Sequence, residues 1–217
     1  MDNLTERLRR MRWGPLQERR RRGLRRLHDA LAQTGFHNRY WMAMGMLLGC
    51  IRDGEPMPGD PDADFGFLEK DLKRFRKAIG ALEDKEFRLR PVSVNNDGTE
   101  SKWAFRYQGV KYEFYLFRTV GSRLRWYYHA HKPSIEVVNE IDAHDLSEID
   151  LYGRRWLKPE DHEVYLEALY GDWRTPDPQY CYWKDCQATI IRRPWTGVQR
   201  RRVRSTPSPL RPFLSWR

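Results

Sequence analysis

The sequence has no long apolar run and very little cysteine. No stretch approaches the roughly 18 apolar residues that a membrane-spanning helix needs, and the first residues, MDNLTERLRRMRWG, lack the apolar segment of a secretory signal. Cys50, Cys181 and Cys186 are too few and too irregularly spaced for a disulfide framework, and without partner histidines they are a weak zinc signal. We therefore expect reduced thiols and a cytoplasmic location, with peripheral attachment to the inner membrane face as an open extension.

Acidic residues are scarce at both ends of the chain. Residues 1–26 carry a net charge of +7 and residues 192–217 a net +8 with no acid at all, out of a total of +10, which leaves the body at −5. Leucines interleave the arginines of the first segment, so an anionic membrane surface is one expected partner of the basic ends. A solvated charged helix packed on the domain explains that segment equally well. Nucleic-acid binding is less expected, because the body lacks the basic face typical of such proteins.

The length and composition predict one domain with appendages. With 217 residues, 40% hydrophobic and 13% aromatic, the chain can bury one substantial core. We predict a basic amphipathic segment over 1–26, a catalytic domain over 27–178, and an irregular basic tail over 179–217. The leucine spacing near the start predicts basic helices broken at residues 13–15, WGP.

The domain itself alternates helical and strand patterns, which indicates an α+β fold. The aromatic and apolar residues 39–44 are typical of a buried strand. Gly45 permits a sharp turn, and residues 46–52 favour a short helix after it. ADFGF, residues 63–67, predicts the next strand, and the apolar spacing over 68–82 predicts an amphipathic helix. Short β-like runs fill 86–157, with a hairpin at 152–153, and a helix is expected from Pro159 to Tyr170, closed by Gly171.

Three aspartates concentrate negative charge where that strand begins. If residues 62–67 form a strand, Asp62 and Asp64 project from one face with their Cα atoms about 6.6 Å apart, so their carboxylates can meet on one cation. Mg²⁺ prefers oxygen ligands and commonly joins one or two carboxylates to substrate phosphates. Asp60 could be a further ligand or could support the other two. The alternative is a solvated acidic turn.

Glu113 is a second informative carboxylate. It lies in VKYEFYLF, where apolar neighbours on both alternating faces predict a strand that is covered on both sides. A buried carboxylate must be paired or metal-bound. The residues leave both possibilities open: a metal site shared with the aspartates, or a salt bridge to Lys111 or a nearby arginine.

These residues together resemble the LicD/fukutin phosphotransferases. The pattern of that family, a glycine, a leucine-rich turn of helix, an arginine, a glycine, a proline and an aspartate-rich strand ending in glycine, matches residues 45–66, and YGDWRTP at 170–176 resembles its second signature. The chain departs from the pattern at four positions, which are Met46, Gly59, Pro61 and Glu113. The resemblance spans about residues 25–178 and implies a nucleotidyltransferase-like mixed sheet flanked by helices.

The resemblance also implies an activity and a set of sites. It implies transfer of a substituted phosphate, such as phosphocholine or a pentitol phosphate, from a CDP-activated donor to a sugar hydroxyl of a glycan or lipid-linked glycan, dependent on Mg²⁺ or Mn²⁺. Asp62, Asp64 and Glu113 are the expected catalytic and metal-binding residues, with Asp60 as a further candidate ligand. The expected donor-phosphate site comprises Gly45, Met46 and Arg52.

Aromatic residues and competing functions remain open at this point. Tyr170 and Trp173 are candidates for stacking on the donor base or the acceptor sugar, with core packing as the alternative. One competing function is nucleotidyl transfer, in which the nucleoside monophosphate itself is attached to the acceptor. The other is a non-enzymatic adaptor that binds nucleic acid through its arginine-rich ends.

Overall fold

The structure combines helices with a large mixed sheet, which confirms the α+β prediction. This computed structural model describes residues 3–197 and 199–200, and the side chains of residues 13–197. The helices are α1 (Asn3–Gln33), α2 (Met44–Arg52), α3 (Leu72–Asp84), α4 (His162–Tyr170) and α5 (Tyr182–Asp185). The strands are β1 (Tyr40–Met42), β2 (Asp62–Leu68), β3 (Arg88–Leu89), β4 (Val92–Val94), β5 (Glu100–Tyr107), β6 (Val110–Val120), β7 (Arg123–His131), β8 (Ser134–Asp142), β9 (Leu146–Leu151), β10 (Arg154–Pro159), β11 (Thr189–Pro194) and β12 (Gln199–Arg200).

The sheet brings two distant segments of the chain side by side. Its main strand order is β11-β8-β7-β6-β2-β1-β10-β9, with β5 also paired to β6 and with β3 and β4 paired to β5. β2 pairs with β6 and β1 with β10 in parallel, and the other pairs are antiparallel. The parallel pairing of β2 and β6 places the aspartate-rich strand directly beside the strand that contains Glu113.

The core is densely aromatic and lies between the sheet and α1 and α3. Phe67 of β2 meets Phe75 of α3 with ring centroids 4.4 Å apart, and Trp103 of β5 contacts both rings. Ile79 and Leu82, further along the predicted stripe of α3, are fully buried. The amphipathic helix predicted over 68–82 is therefore confirmed, except that it begins at Leu72 because Leu68 ends β2.

Helix α1 runs without a break through the position where the sequence predicts one. Pro15 lies inside the helix, so the predicted interruption at 13–15 is wrong. A proline costs helix stability by removing one hydrogen bond, but Leu24, Leu27 and Leu31 are all fully buried in the core and fix the helix there. The same helix crosses the expected segment boundary at residues 26–27 and ends at Gln33.

The start of α2 also differs from the prediction. The strand before it is confirmed as β1, but the helix begins at Met44, and Met44 rather than Gly45 has the positive φ of +49°. Gly45 is required for a different reason: the carboxylate of Asp60 approaches it so closely that a Cβ on residue 45 would lie 2.9 Å from Asp60 Oδ2. The glycine thus makes room for a carboxylate of the acidic stretch.

Two predictions near the C-terminal end need correction. The stretch from 179, expected to be irregular, contains α5 and the strand β11, which pairs antiparallel with β8. Residues 201–217 of that predicted tail lie outside the described residues. Pro159 does not open a helix: it ends β10 opposite Leu146, and α4 begins at His162. Gly171 does close α4, with a φ of +68°.

Candidate active site

Three carboxylates converge where β2 lies beside β6. In the parallel register Asp64 is the partner of Glu113 and Asp62 the partner of Lys111. Because alternate residues of a strand face the same way, Asp62, Asp64 and Glu113 share one face of the sheet. One oxygen from each lies within 4.8 Å of the others. The structure therefore brings together the three residues that the sequence assigns to catalysis and metal binding.

Two lysines lie among these carboxylates. Lys111 Nζ is 2.6 Å from Asp62 Oδ2 and 3.2 Å from Glu113 Oε2, while Lys102 Nζ is 2.8 Å from Glu113 Oε1. The Tyr115 hydroxyl donates a hydrogen bond to Glu113 Oε2. The salt-bridge alternative for Glu113 is thus observed in the structure, with Lys111 as one of its two lysine partners.

Lys102 is a residue that sequence reasoning missed. It is only 9% exposed and lies on β5, whose residues 102 and 104 pair with Tyr115 and Glu113 of β6. The available signal is a lysine inside the otherwise apolar alternation of SKWAF, since a buried ammonium requires a carboxylate partner.

The acidic groups differ widely in acidity. Burial by itself would raise the pKa of Glu113, but the ammonium groups of Lys102 and Lys111 outweigh it and hold that pKa at about 2. Burial, reinforced by the charges of Asp62 and Glu113, raises the pKa of Asp64 well above its ordinary value. The two lysines therefore compensate Glu113, and Lys111 also pairs with Asp62, but Asp64 is left short of positive charge.

Asp60 lies next to the group of three. Its Oδ1 accepts a hydrogen bond from the backbone N–H of Asp62, and its other oxygen faces Gly45. Burial and the hydrogen bond and charge of Asp62 raise the pKa of Asp60 to about 8. A cation bound at the three carboxylates would relieve the repulsion that Asp60 and Asp64 share.

The composition of this donor set fits a hard divalent cation. All three converging groups, Asp62, Asp64 and Glu113, are carboxylates, and no cysteine or histidine belongs to the cluster found among the described residues. Carboxylate oxygens are the ligands that suit Mg²⁺ and Mn²⁺. The residues present can therefore hold the predicted metal.

The carboxylates open into a cleft of about 1510 Å³. Tyr170 and Trp173 also line this cleft. Tyr170 packs against Tyr180 with ring centroids 5.0 Å apart, and Trp173, only 6% exposed, has the guanidinium of Arg174 over its ring at 4.3 Å. Both aromatic residues thus combine core packing with a position on the cleft wall.

The three residues expected to bind the donor phosphate are not equivalent. Gly45 and Arg52 line the cleft from opposite ends of α2, and Arg52 makes a two-pronged contact with Asp53. The expectation that Met46 contributes to this site needs correction, because its side chain is buried in the core and does not line the cleft. Met46 follows Gly45 directly, and adjacent residues of a helix point in different directions.

Comparison with known families identifies the family of the chain. A model of the family described as LicD/FKTN/FKRP, nucleotidyltransferase domain, matches residues 37–161, more than half of the chain. The chain belongs to this family. No curated protein matches it. Membership places the LicD-family chain among phosphotransferase-like proteins of glycan modification and supports a transferase activity.

The matched region and the cleft do not coincide completely. The match includes α2, β2, β5 and β6, and so all of the converging carboxylates and both lysines. Tyr170 and Trp173 of the LicD-family chain follow the match, and the whole of α1 precedes it.

Among the described helices, none combines the length and apolarity that crossing a bilayer demands.

Proposed function

We propose that this LicD-family chain transfers a substituted phosphate, such as phosphocholine or a pentitol phosphate, from a CDP-activated donor to a sugar hydroxyl of a glycan or lipid-linked glycan. Mg²⁺ or Mn²⁺ is the proposed cofactor. The observation that carries the proposal is the convergence of Asp62, Asp64 and Glu113 within 4.8 Å inside a cleft. Such a cleft can accommodate both a nucleotide-linked donor and part of a glycan.

The proposed reaction is a displacement at phosphorus. The acceptor hydroxyl oxygen forms a bond to the distal phosphorus of the donor, the bond between that phosphorus and the bridging oxygen breaks, and cytidine monophosphate leaves with the electron pair. The hydroxyl proton is released as the new ester forms. Such transfers depend on alignment and charge neutralisation more than on covalent chemistry from the protein.

The residues of the cleft have separate tasks in this proposal. Asp62, Asp64 and Glu113 would hold the divalent cation, which when bound neutralises charge on the donor diphosphate. Gly45 lines the cleft at the start of α2, where backbone N–H groups favour anions, and stays part of the proposed donor-phosphate site. Arg52 can bind a phosphate oxygen if it leaves Asp53. Tyr170 and Trp173 are proposed to stack on the cytosine or on the acceptor sugar.

Product analysis with isosteric variants tests this activity. Asp62→Asn and Asp64→Asn each remove the negative charge of a proposed metal ligand with little change in shape. Asp150→Asn removes a negative charge from the exposed edge strand β9, away from the proposed ligands, and is the matched control. With Mn²⁺, CDP-choline or CDP-ribitol and a panel of glycan acceptors, we expect cytidine monophosphate release to fall at least about 100-fold in the first two variants only. Unimpaired turnover in both would refute the assignment.

Nucleotidyl transfer is the second candidate, because the matched family is described as a nucleotidyltransferase domain. The two reactions differ in the phosphorus that is attacked and hence in the mass added to the acceptor. A gain equal to phosphocholine or pentitol phosphate supports the proposed reaction. A gain equal to a cytidine monophosphate unit supports the second candidate.

A further inference from the structure

The loop that carries Asp60 lies between two helices. This loop, residues 53–61, connects α2 to β2 and is here called the acidic loop. On its α2 side the packing leaves no room for a side chain at Gly49, where a Cβ would lie 2.6 Å from the Met57 nitrogen and 2.9 Å from the Glu55 carbonyl oxygen. The backbone of the loop therefore rests directly on α2.

On its other side the acidic loop is held by α1. Arg20 Nη1 donates a hydrogen bond of 2.8 Å to the Met57 carbonyl, and Gln17 donates one of 3.4 Å to Glu55. The ring of Trp13 lies 3.5 Å from where a Cβ would stand on Gly59. Residues 13, 17 and 20 are spaced four and three apart, so they form one stripe on α1. This stripe covers the loop opposite Gly49.

Arg20 is an unusual residue in this stripe. It is fully buried, yet among the described residues no carboxylate lies within ion-pair distance of it, and its Nε and Nη2 have no hydrogen-bond partner. A buried guanidinium with one hydrogen bond is costly for stability. An apolar side chain of similar length would fill the same space at lower cost, so stability alone does not account for this arginine.

The contact of Arg20 leads directly to the site. The Met57 carbonyl that it binds also accepts the backbone N–H of Asp60, at 3.1 Å, and so closes the turn that presents Asp60. Asp60 in turn accepts the backbone N–H of Asp62, the first residue of β2. A chain of three hydrogen bonds thus runs from α1 through the acidic loop to the carboxylates.

We infer that α1 is a working part of the active site and that Arg20 is its positioning residue, which fixes the acidic loop through the Met57 carbonyl and so places Asp60 beside Asp62 and Asp64. This inference rests on the metal site of the proposed function. It extends that function because α1 precedes the region matched by the family model. The acidic site of this chain is therefore completed by a segment outside the matched domain.

Hydrogen–deuterium exchange of the acidic loop tests the inference without reference to turnover. We compare Arg20→Met with Arg20→Lys and with the control Arg19→Met, which makes the same substitution at an exposed neighbour. A hydrogen bond from a charged donor is worth at least a tenfold change in a local equilibrium. We expect exchange within 53–61, measured at the Asp60 amide that bonds to the Met57 carbonyl, to be at least about tenfold faster in Arg20→Met, with exchange in α3 unchanged, and largely restored in Arg20→Lys.

Mn²⁺ affinity supplies the readout that a purely structural role would not change. We expect Arg20→Met to bind Mn²⁺ about tenfold more weakly at a melting temperature no lower than that of the wild type, and Arg19→Met to match the wild type. Unchanged loop exchange in Arg20→Met would overturn the inference, as would faster exchange throughout the protein. If Arg20→Met does not fold, Gln17→Ala and Trp13→Ala, which loosen the same contact from its more accessible end, must speed exchange over 53–61. If wild-type protein binds no Mn²⁺, the proposed function fails, and loop exchange still decides the role of Arg20.

Discussion

Asp60 and Glu113 ionise at very different pH values although they line the same cleft. The pKa of Glu113 is held at about 2, because two ammonium groups outweigh its burial, whereas burial and the neighbouring Asp62 raise the pKa of Asp60 to about 8. Their effects on stability therefore have opposite signs. Glu113 stabilises the fold above the pKa of an ordinary glutamate and loses that contribution as the pH falls towards 2.

The raised pKa of Asp60 predicts that the stability of the protein depends on pH near neutrality. Between about pH 4 and pH 8 the folded protein retains a proton on Asp60 that the unfolded chain has lost, so the free energy of unfolding of the metal-free protein should fall as the pH rises. Urea unfolding at pH 5 and pH 8 measures this slope. Asp60→Asn stays uncharged and should show a shallower slope than the wild type.

The same substitution at a different aspartate provides the control for other titrating groups. Asp97→Asn removes an acid whose pKa is lowered and which is bonded to Thr99 in an exposed turn. It should leave the slope between pH 5 and pH 8 as it is in the wild type. Equal slopes in wild type and Asp60→Asn would contradict the assigned environment of Asp60.

At the scale of elements, α2 presents two glycines to the acidic loop. Gly45 and Gly49 are four residues apart and face Asp60 and Met57 respectively. Both positions would force a Cβ to within 3.0 Å of loop atoms, so the helix and the loop approach each other more closely than any other residue type allows. The glycines that resemble the family pattern thus have a packing reason.

Alanine substitution separates this packing role from helix propensity. Gly49→Ala should destabilise the protein by about 1–3 kcal/mol, because the new methyl group meets backbone atoms that cannot move aside easily. Gly80→Ala, in the exposed middle of α3 with nothing within 4 Å, should instead stabilise it by about 0.5–1 kcal/mol. Thermal unfolding of both variants checks the pair. Destabilisation of similar size in both would show that close approach at Gly49 is not the cause.

Elements with strong local patterns could be predicted from the sequence, and those decided by distant contacts could not. The spacing of Phe75, Ile79 and Leu82 is enough to predict α3, and the alternation of Asp62 and Asp64 is enough to predict that both share a face. The pairing of Lys102 with Glu113 depends on the β5–β6 register, which no local pattern encodes. In the same way, α1 continues through Pro15 because Leu24 and Leu27 pack on a core formed elsewhere in the chain.

At the scale of the whole molecule, α1 carries a basic groove separate from the cleft. The groove, of about 690 Å³, is lined by Arg21, Arg22 and Arg25 of α1 together with Arg154. Arg154 is already paired with Asp29, whereas Arg21 lies over the ring of Tyr152. Of the open alternatives for the basic ends, the described part of α1 supports a packed helix whose outer face could meet an anionic surface.

Vesicle binding tests whether an anionic membrane surface is a partner of α1. Changing Arg21, Arg22 and Arg25 to Gln removes three charges from the groove. Changing Lys73 and Lys77 of α3 and Lys70 of the turn before it to Gln removes three charges from exposed positions elsewhere. Each basic residue near an anionic bilayer contributes about 1 kcal/mol. We expect co-sedimentation with phosphatidylglycerol vesicles in 0.1 M salt, an order-of-magnitude physiological value, to weaken at least about tenfold in the first variant only. Equal weakening in both variants would show that vesicle binding depends only on net charge and not on the groove.

Titration with Mn²⁺, followed by its electron paramagnetic resonance signal, tests whether Asp62, Asp64 and Glu113 together hold a divalent cation. We expect binding of Mn²⁺ by the wild type and by Asp150→Asn, and competition by Mg²⁺. We expect at least about tenfold weaker binding in each of Asp62→Asn, Asp64→Asn and Glu113→Gln, measured at a temperature at which circular dichroism shows each variant to be folded. Affinity in the three variants equal to that of the wild type would contradict it.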